Sequence, residues 1–295
     1  MRRKTIVSKT KAQQNEPNYR LFMNIALSIL EYKDIIQALK DKTNVDLNQH
    51  AMTSLRQNLI YLMSSTKYSS PRALIAAIQK DKVFLEQILS CIYCEHISLF
   101  RDPALWRIIK ESVLDRITEK SILKIWLPEV SKGSDYYSLV ILLAKTNMLA
   151  KAKIIISDIS QSNLDLCRQG YISPSIINNS ISNVKRLDEL DNIDKYTYTI
   201  GGKTFINKEL LKNTFAYRSS MMDITLPYNP NLVFFRNRMI YFNHVKEQKA
   251  INKLYNTISG GGYLITGIKE NISDFDIEKK FRIFNQEEQI YKRYF

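Results

Sequence analysis

Apolar residues recur at helical spacing through the first third of the chain. The segments RLFMNIALSILEYKDIIQALKDKT, LNQHAMTSLRQNLIYLMSS and PRALIAAIQKDKVFLEQILSCIYCEHISLF follow the period of amphipathic helices, and none alternates as a strand does. Pro71 stands where a helix can begin, because a proline in the first turn loses no hydrogen bond. The pattern predicts a helical N-terminal domain over 19–80 and a helical linker over 81–97, after a basic disordered tail over 1–18.

From residue 98 onward, predicted strands alternate with predicted helices. The first helix covers about 103–117. The buried strands read ILKIWL, KIIISDIS, NLVFFRN and GGGYLITGI, and helices separate them, including one over 136–149 and a short one that ends at Gly170. The last residues predict two strands joined by a turn. Such alternation is typical of an α/β domain with a mainly parallel sheet, here assigned to 98–295.

The stretch between Gly170 and residue 213 is polar and mixed. Within it, YTYTIGGKTFIN predicts a hairpin that turns at Gly201 and Gly202. We expect a short inserted β segment at about 171–207, in which only YTYTIGGKTFI resembles strands.

Composition places the chain among ordinary globular proteins. It has 295 residues, of which 45% are hydrophobic and 24% charged. The longest apolar run, LVILLA, is too short to span a membrane, and no hydrophobic region follows the basic N-terminus directly. The sequence therefore predicts a cytoplasmic protein without a transmembrane segment.

The formal net charge of +14 points to anionic partners. The lysines are spread over the whole chain, as Lys145, Lys151 and Lys153 illustrate, and no arginine-rich block stands out. We therefore favour a solvated basic surface over a nucleic-acid-binding function. Nucleic-acid binding stays open as an alternative hypothesis.

The three cysteines do not make a convincing metal site. Cys91 and Cys94 form a C-x-x-C that His96 follows, but the remaining Cys167 is far away in sequence. A structural zinc site needs four ligands, so packing of these cysteines is the favoured interpretation and no metal is expected.

The segment IWLPEVSKGSDYYSLV predicts a strand, a loop and a helix. At such a junction α/β proteins hold nucleotide-like cofactors, usually with a glycine-rich loop. This loop contains one glycine, Gly133, together with the charged residues Glu129, Lys132 and Asp135. It therefore raises the question of whether a ligand still binds there.

Five motifs occur in a specific order: SLFRDP, SKGSDYYS after the first strand, IIISDIS, FFRNRMIYF and GGGYLITG. This order resembles the CheR-type chemotaxis receptor methyltransferases, which carry FRDP, GCSTGEEPYS, ATDI, CRNVLIYF and GGxLxLG motifs. The resemblance covers about 90–295, and more loosely the helical region before it. It implies a Rossmann-like S-adenosylmethionine-dependent methyltransferase fold preceded by a small helical domain. It also implies methyl transfer to a glutamate of a helical receptor or signalling protein.

The resemblance implies roles for two groups of residues. Arg101 in FRDP lies near the cofactor in the family, and Tyr241 lines the methyl-transfer site. Asp158 stands where the family's acid binds the ribose hydroxyls. Further candidates for cofactor binding are Gly133, Asp135, Arg236 and Asn237. A methyl transfer to an ionised carboxylate needs alignment rather than acid–base groups, so the absence of a catalytic triad does not argue against it.

Each main candidate also has a purely structural interpretation. Asp158 could cap the helix that follows it. Arg101 could form a surface ion pair with Asp102 or Glu95. Tyr241 could be an aromatic core residue.

The departures from the family pattern fall on the cofactor loop. Glu129 replaces the first glycine, so a negatively charged side chain would occupy cofactor space, on a backbone for which positive φ disfavours side chains. Ser134 replaces a glutamate that contacts the cofactor, although Asp135 could substitute for it. Ser219 and Ser220 replace an NL pair near the adenine. These losses favour a degenerate signalling or regulatory binding module. The alternative is an active protein-glutamate O-methyltransferase that uses Asp158, Arg101 and Tyr241.

In some relatives of this family the inserted β subdomain docks a receptor peptide by strand pairing. Here the segment is short, so a plain surface excursion is the favoured interpretation and peptide docking the alternative.

Overall fold

The computed structural model of the protein describes residues 26–93, 98–118, 122–187, 193–275, 277 and 279–295. The predicted tail at 1–18, and Cys94, Glu95 and His96, lie outside these residues. The division into domains therefore stays a prediction, although the individual elements can be compared with the sequence.

Four helices form the first part of the described chain, as predicted: α1 Ile29–Thr43, α2 Met52–Ser65, α3 Pro71–Lys80 and α4 Lys82–Ser90. Helix α1 begins with a capping box in which Ser28 and Glu31 bind each other's backbone amides. Ser70 caps α3, and Pro71 occupies its first turn. These local signals explain where the helices start.

The remaining described elements alternate between helices and strands. The helical elements are α5 Pro103–Ile108, a π-helical segment Ile109–Leu114, α6 Asp115–Thr118, α7 Ser134–Lys145, α8 Gln161–Gln169, α9 Pro174–Lys185 and α10 His244–Thr257. The strands are β1 Leu123–Pro128, β2 Ala152–Asp158, β3 Tyr171–Ile172, β4 Thr197–Ile200, β5 Lys203–Ile206, β6 Thr214–Arg218, β7 Leu232–Phe235, β8 Tyr263–Thr266, β9 Phe281–Asn285 and β10 Ile290–Arg293.

Seven strands form one sheet in the order β6-β2-β1-β7-β8-β10-β9. The pairs from β6 to β8 are parallel, and the final hairpin is antiparallel. The α/β prediction is confirmed, including the terminal hairpin. Because neighbouring strands run in parallel, the carboxyl ends of β1, β2 and β7 meet at one edge of the sheet, where α/β proteins place their ligands.

Alternation along each strand divides the core between the two faces of the sheet. Trp126, Ile155 and Val233 pack into the cluster that also contains the N-terminal helices. Ile125 and Ile154 face the opposite cluster, which contains α7. The N-terminal helices therefore cover one face of the sheet, directly beside the candidate site.

The prediction for 171–213 was incomplete. The hairpin at Gly201 and Gly202 is confirmed, and β3 joins it in a three-stranded antiparallel sheet. However, helix α9 occupies Pro174–Lys185, and β6 follows the inserted sheet as an edge strand. The helix has a start signal that the prediction overlooked, because Ser173 caps it and Pro174 occupies its first turn.

Within the described ranges, no helix is both long and apolar enough to cross a membrane.

Candidate functional site

Glu129 follows β1 and turns into the protein at the carboxyl edge of the sheet. The residue is only 2% exposed, and its Oε1 accepts a hydrogen bond from the Met221 backbone N at 2.8 Å. Its backbone has φ +51°, a left-handed conformation that glycine adopts at lower cost. The side chain therefore fills the position where a glycine would leave open space.

The second oxygen of this carboxyl group, Oε2, is buried without a hydrogen-bond partner among the described residues. Burial, followed by the charge of Asp158, raises the pKa of Glu129 from 4.5 to about 8. The surroundings therefore favour the neutral form of this carboxyl group over the ionised one. Burial therefore opposes the negative charge expected at this position, whereas the expected occupation of space agrees with the buried side chain.

Asp158 ends β2, is 1% exposed, and binds the loop that follows β1. Its Oδ2 accepts from Ser131 N at 2.8 Å, while Oδ1 accepts from Ser160 N at 2.8 Å and Asn163 Nδ2 at 3.2 Å. Burial raises its pKa to about 6, although the two backbone hydrogen bonds oppose that shift. Ser160 itself caps α8, so Asp158 orients the cap rather than forming it.

Gly133 ends the loop at the start of α7, and packing explains why glycine is there. Its φ is +82°, and an added Cβ would lie 2.9 Å from Cys167 Sγ and 3.1 Å from the Tyr137 ring. Ser134 follows as the first residue of α7 and lines a void of about 10 Å³, which is about the least space that holds one water molecule. In this conformation the loop leaves little room beside Ser134.

Arg236 connects the end of β7 to two carboxylates. Its side chain is 1% exposed, with Nη1 donating to Asp135 Oδ1 at 2.7 Å and Nη2 to Asp102 Oδ2 at 2.5 Å. Arg101 Nε lies 4.0 Å from the same Asp102 carboxylate. The expected pairing of Arg101 with Asp102 is thus present, and Asp135 is held by Arg236.

Asn237 adjoins this network and has φ +57°. With its amide oxygen turned toward Arg101, Asn237 accepts from both terminal nitrogens of that guanidinium, at 2.9 and 3.1 Å. Its backbone N donates to Glu270 Oε2 at 2.6 Å. Arg101, Asp135, Arg236 and Asn237 therefore belong to one connected group.

Tyr241 lies apart from that group, on the side of the N-terminal helices. The residue is half-buried, and its ring centroid is 5.5 Å from that of Tyr93. Its carbonyl accepts from Ala51 N at 2.7 Å, and the adjacent Phe242 forms an isolated β-bridge with His50. Tyr241 thus helps to join the N-terminal helices to the sheet domain.

A cavity of about 260 Å³ lies between the N-terminal helices and the carboxyl edge, with Glu129, Ile159 and Met221 in its wall. Lys246 is 9% exposed there, and its Nζ lies 3.1 Å from His50 Nε2. Burial lowers the pKa of Lys246 to about 8. Burial and then the Lys246 charge lower that of His50 to about 3. The neutral imidazole therefore accepts a hydrogen bond from the ammonium group.

Three site residues were missed by sequence reasoning. Arg238 is buried and donates from Nε to Glu129 O at 2.7 Å, and Lys246 lines the cavity. Glu270 accepts from the backbone N of Asn237, Met239, Ile240 and Gly267. Of these, only Arg238 carried a signal, because it directly follows the RN pair of the fourth motif.

The fold and the position of this site define the class of the protein. The chain has a mainly parallel sheet with a terminal antiparallel hairpin, and an acid at the end of the second strand. These features define a Rossmann-like methyltransferase fold. More particularly, the chain belongs to the family described as CheR methyltransferase, SAM binding domain, whose model matches residues 95–290. The resemblance seen in the motifs is confirmed.

Curated relatives match most of the chain at low identity. The Cher3 protein of Pseudomonas putida is 23% identical over 265 residues, which are 90% of this chain and 97% of the relative. A chemotaxis protein methyltransferase of Vibrio anguillarum is 24% identical and covers 84% of this chain and 92% of its own length. One from Borreliella burgdorferi is 25% identical, with 88% and 93% covered.

Proposed function

We propose that this chain is a CheR-fold binding module of a signalling or regulatory assembly that no longer binds S-adenosylmethionine productively. The observation that carries the proposal is the hydrogen bond from Met221 N to the buried Glu129 carboxyl group. A ligand that entered this edge of the sheet would have to displace that side chain.

Displacing Glu129 costs free energy that no relief of backbone strain would offset. Met221 N would lose its partner, and an unsatisfied buried donor costs about 1–3 kcal/mol unless the ligand replaces the bond. The left-handed backbone at Glu129 would remain, so its strain would not be relieved. A cofactor would therefore bind against a penalty of one to two orders of magnitude in affinity.

The other cofactor contacts implied by the family resemblance are also weakened. Ser134 offers no carboxylate, and Asp135, its candidate substitute, is held by Arg236 at 2.7 Å. Both oxygens of Asp158 already accept hydrogen bonds from protein groups, and the residue is 1% exposed. The residues present therefore do not fit S-adenosylmethionine in this loop conformation, which supports a binding role over catalysis.

The proposed partner is a helical receptor or signalling protein, as the relatives named as chemotaxis protein methyltransferases suggest. The three-stranded sheet offers one place for peptide docking. Strand β4 is one of its two outer strands, and Tyr198 and Ile200 on it are 37% and 66% exposed. A partner peptide could extend this sheet by pairing with β4. Replacing Thr199 by proline and repeating a pull-down with the receptor fragment tests this contact, because proline removes a backbone donor.

The second candidate function is an active protein-glutamate O-methyltransferase. It is favoured by the connected group of Arg101, Arg236 and Asn237 at the carboxyl edge, which preserves the polar wall of the site. This reading requires the loop to rearrange so that Glu129 leaves the site. Asp158, Arg101 and Tyr241 would then take the roles that the family resemblance implies.

A matched pair of variants tests the proposal. The double variant E129G/S134E restores the glycine and the acid of the family pattern, whereas E129Q keeps the volume of the side chain. Calorimetric titration with S-adenosylmethionine should show binding that is at least tenfold tighter for the double variant than for E129Q. Equal affinities for these two variants, or methyl transfer by the unmodified chain to a receptor fragment, would overturn the proposal.

A further inference from the structure

Two cavities lie side by side at the amino ends of the parallel strands, opposite the candidate site. The larger, of about 620 Å³, is here called the basal groove and is lined by Ile122, Ala150, Lys151, Ala152, Lys153, Lys212, Asn213 and Phe215. The second, of about 420 Å³, has Arg116, Lys124 and Lys292 in its wall. Asn231 joins the two, because its side chain donates to Ile122 O and accepts from Lys124 N, both at 2.8 Å.

The floor of the basal groove exposes large apolar side chains. Phe215 is 54% exposed and Ile122 52%. Phe215 on β6 pairs in register with Ile155 on β2, which is fully buried. The same face of the sheet therefore changes from buried to exposed between these two neighbouring strands. This happens because β6 is the outermost strand and nothing in the described chain extends the sheet beyond it. Exposed apolar groups at a sheet edge are typical of interaction sites.

The rim of the basal groove is cationic. Within the described residues, the ammonium groups of Lys151 and Lys153 have no salt-bridge partner, and Lys212 pairs with Glu209 at its exposed end. No aspartate or glutamate occurs among the described residues that line either cavity. Lysines around an apolar floor give a positive electrostatic potential over an apolar surface. An acidic amphipathic segment is complementary to this arrangement in both charge and polarity.

We propose that the basal groove binds an acidic protein segment, which places an apolar side chain against Phe215 and Ile122 and carboxylates beside Lys151 and Lys153. The apolar floor favours this partner over nucleic acid, which contacts a basic surface chiefly through its phosphates. The inference goes beyond the proposed function, because the groove lies at the opposite end of the strands and needs no cofactor.

The proposal is tested by selecting random dodecapeptides on the full chain and measuring their binding by fluorescence anisotropy. The selected peptides should carry aspartate or glutamate around an aliphatic or aromatic residue. The charge reversal K151E/K153E and the apolar change F215S should each weaken their binding at least tenfold. The matched variant K33E/K185E, which makes the same charge change on exposed residues elsewhere, should bind as the parent does. Circular dichroism and thermal melting check that each variant folds.

Three outcomes would overturn the proposal. The selection yields no enriched peptides, the enriched peptides bind K151E/K153E or F215S as well as the parent, or they lose as much affinity with K33E/K185E. A duplex of 20 base pairs and phosphatidylserine vesicles serve as further probes. If either probe binds as tightly as the peptides, and neither that probe nor the peptides lose affinity with F215S, the surface is a general polyanion site rather than a protein-docking groove.

Discussion

Glu129 Oε1 and Met221 N are joined by a 2.8 Å hydrogen bond that links the loop after β1 to the segment after β6. The two residues are 92 positions apart. In the family pattern the first of these positions is a glycine, which cannot make such a bond. The bond closes the carboxyl edge of the sheet with a side chain of the protein itself. It also keeps Glu129 buried, so the pKa of this residue differs between the folded and the unfolded chain.

The stability of the protein should therefore depend on pH through Glu129. Its pKa is about 8 in the folded chain and 4.5 when exposed, so the folded state holds this proton more tightly. The resulting stabilisation is complete below about pH 4.5 and is lost as the pH rises toward 8. Relative to E129Q, the free energy of unfolding of the parent should fall by about 1.4 kcal/mol per pH unit in this window, as urea titrations can measure.

Comparison with E129Q isolates this carboxyl group from its neighbours. Asp158, whose pKa is raised to about 6, adds a similar dependence at lower pH, and Lys246, whose pKa is lowered to about 8, adds a dependence of opposite sign from about pH 8 upward. Both remain in the variant. A difference between parent and E129Q that stays constant from pH 5 to pH 8 contradicts the assignment.

Arg236 should be essential for stability whatever the activity of the protein. Its buried guanidinium holds Asp102 and Asp135, and R236M would take this partner from Asp135 and leave Asp102 with Arg101, whose Nε is 4.0 Å away. We expect the free energy of unfolding to fall by about 3 kcal/mol, because one member of a buried ion group is removed. R236K should lose less. The exposed change K132M is the control in the same urea experiment, and an R236M protein as stable as K132M would refute this role.

Glu270 should be needed to hold the backbone after β7. It accepts from Asn237 N at 2.6 Å, Met239 N at 2.7 Å and Gly267 N at 2.7 Å. E270Q removes the charge and turns one acceptor into a donor, so a loss of about 3 kcal/mol is expected from charge-assisted bonds of this kind. The control E287Q changes an exposed carboxylate nearby. Equal unfolding midpoints for E270Q and E287Q would mean that the hydrogen bonds to the Glu270 carboxylate contribute no stability.

Glu86 should tie α4 to α8. Its Oε2 accepts from Gln161 N at 2.9 Å at the start of α8, and its Oε1 pairs with Arg218 at 2.6 Å. A carboxylate at a helix amino terminus is stabilising, so E86A should lose about 1–2 kcal/mol, and less at 1 M salt. A salt-independent loss would indicate packing rather than charge as the cause.

The sequence predicted the elements whose period is strong. The four N-terminal helices and strands β1, β2, β7 and β8 were found because their apolar residues repeat at the spacing of buried helices or strands. Helix α9 and strand β6 were missed because they lie at the surface. Only Ile176 and Ser180 of α9 are buried, and β6 exposes Phe215 and Tyr217. Where burial is slight, the periodic signal is weak.

The site was predictable in its parts but not in its connections. The motif order placed Arg101, Asp158, Arg236 and Asn237 at one edge, because parallel strands bring their carboxyl ends together. The inward turn of Glu129 depends on Met221, and the lowered pKa of His50 depends in part on the charge of Lys246, 196 positions away. Such contacts arise from tertiary packing, which local pattern does not encode. The raised pKa of Glu129 likewise follows from burial and could not be read from the loop.

The most direct test of the central claim is calorimetric titration of the unmodified chain with S-adenosylmethionine and S-adenosylhomocysteine. If Glu129 closes the carboxyl edge as proposed, neither ligand should release heat at concentrations up to about 1 mM, a limit near −4 kcal/mol of binding free energy. Saturable binding in the low micromolar range would contradict this claim and favour the alternative, an active protein-glutamate O-methyltransferase.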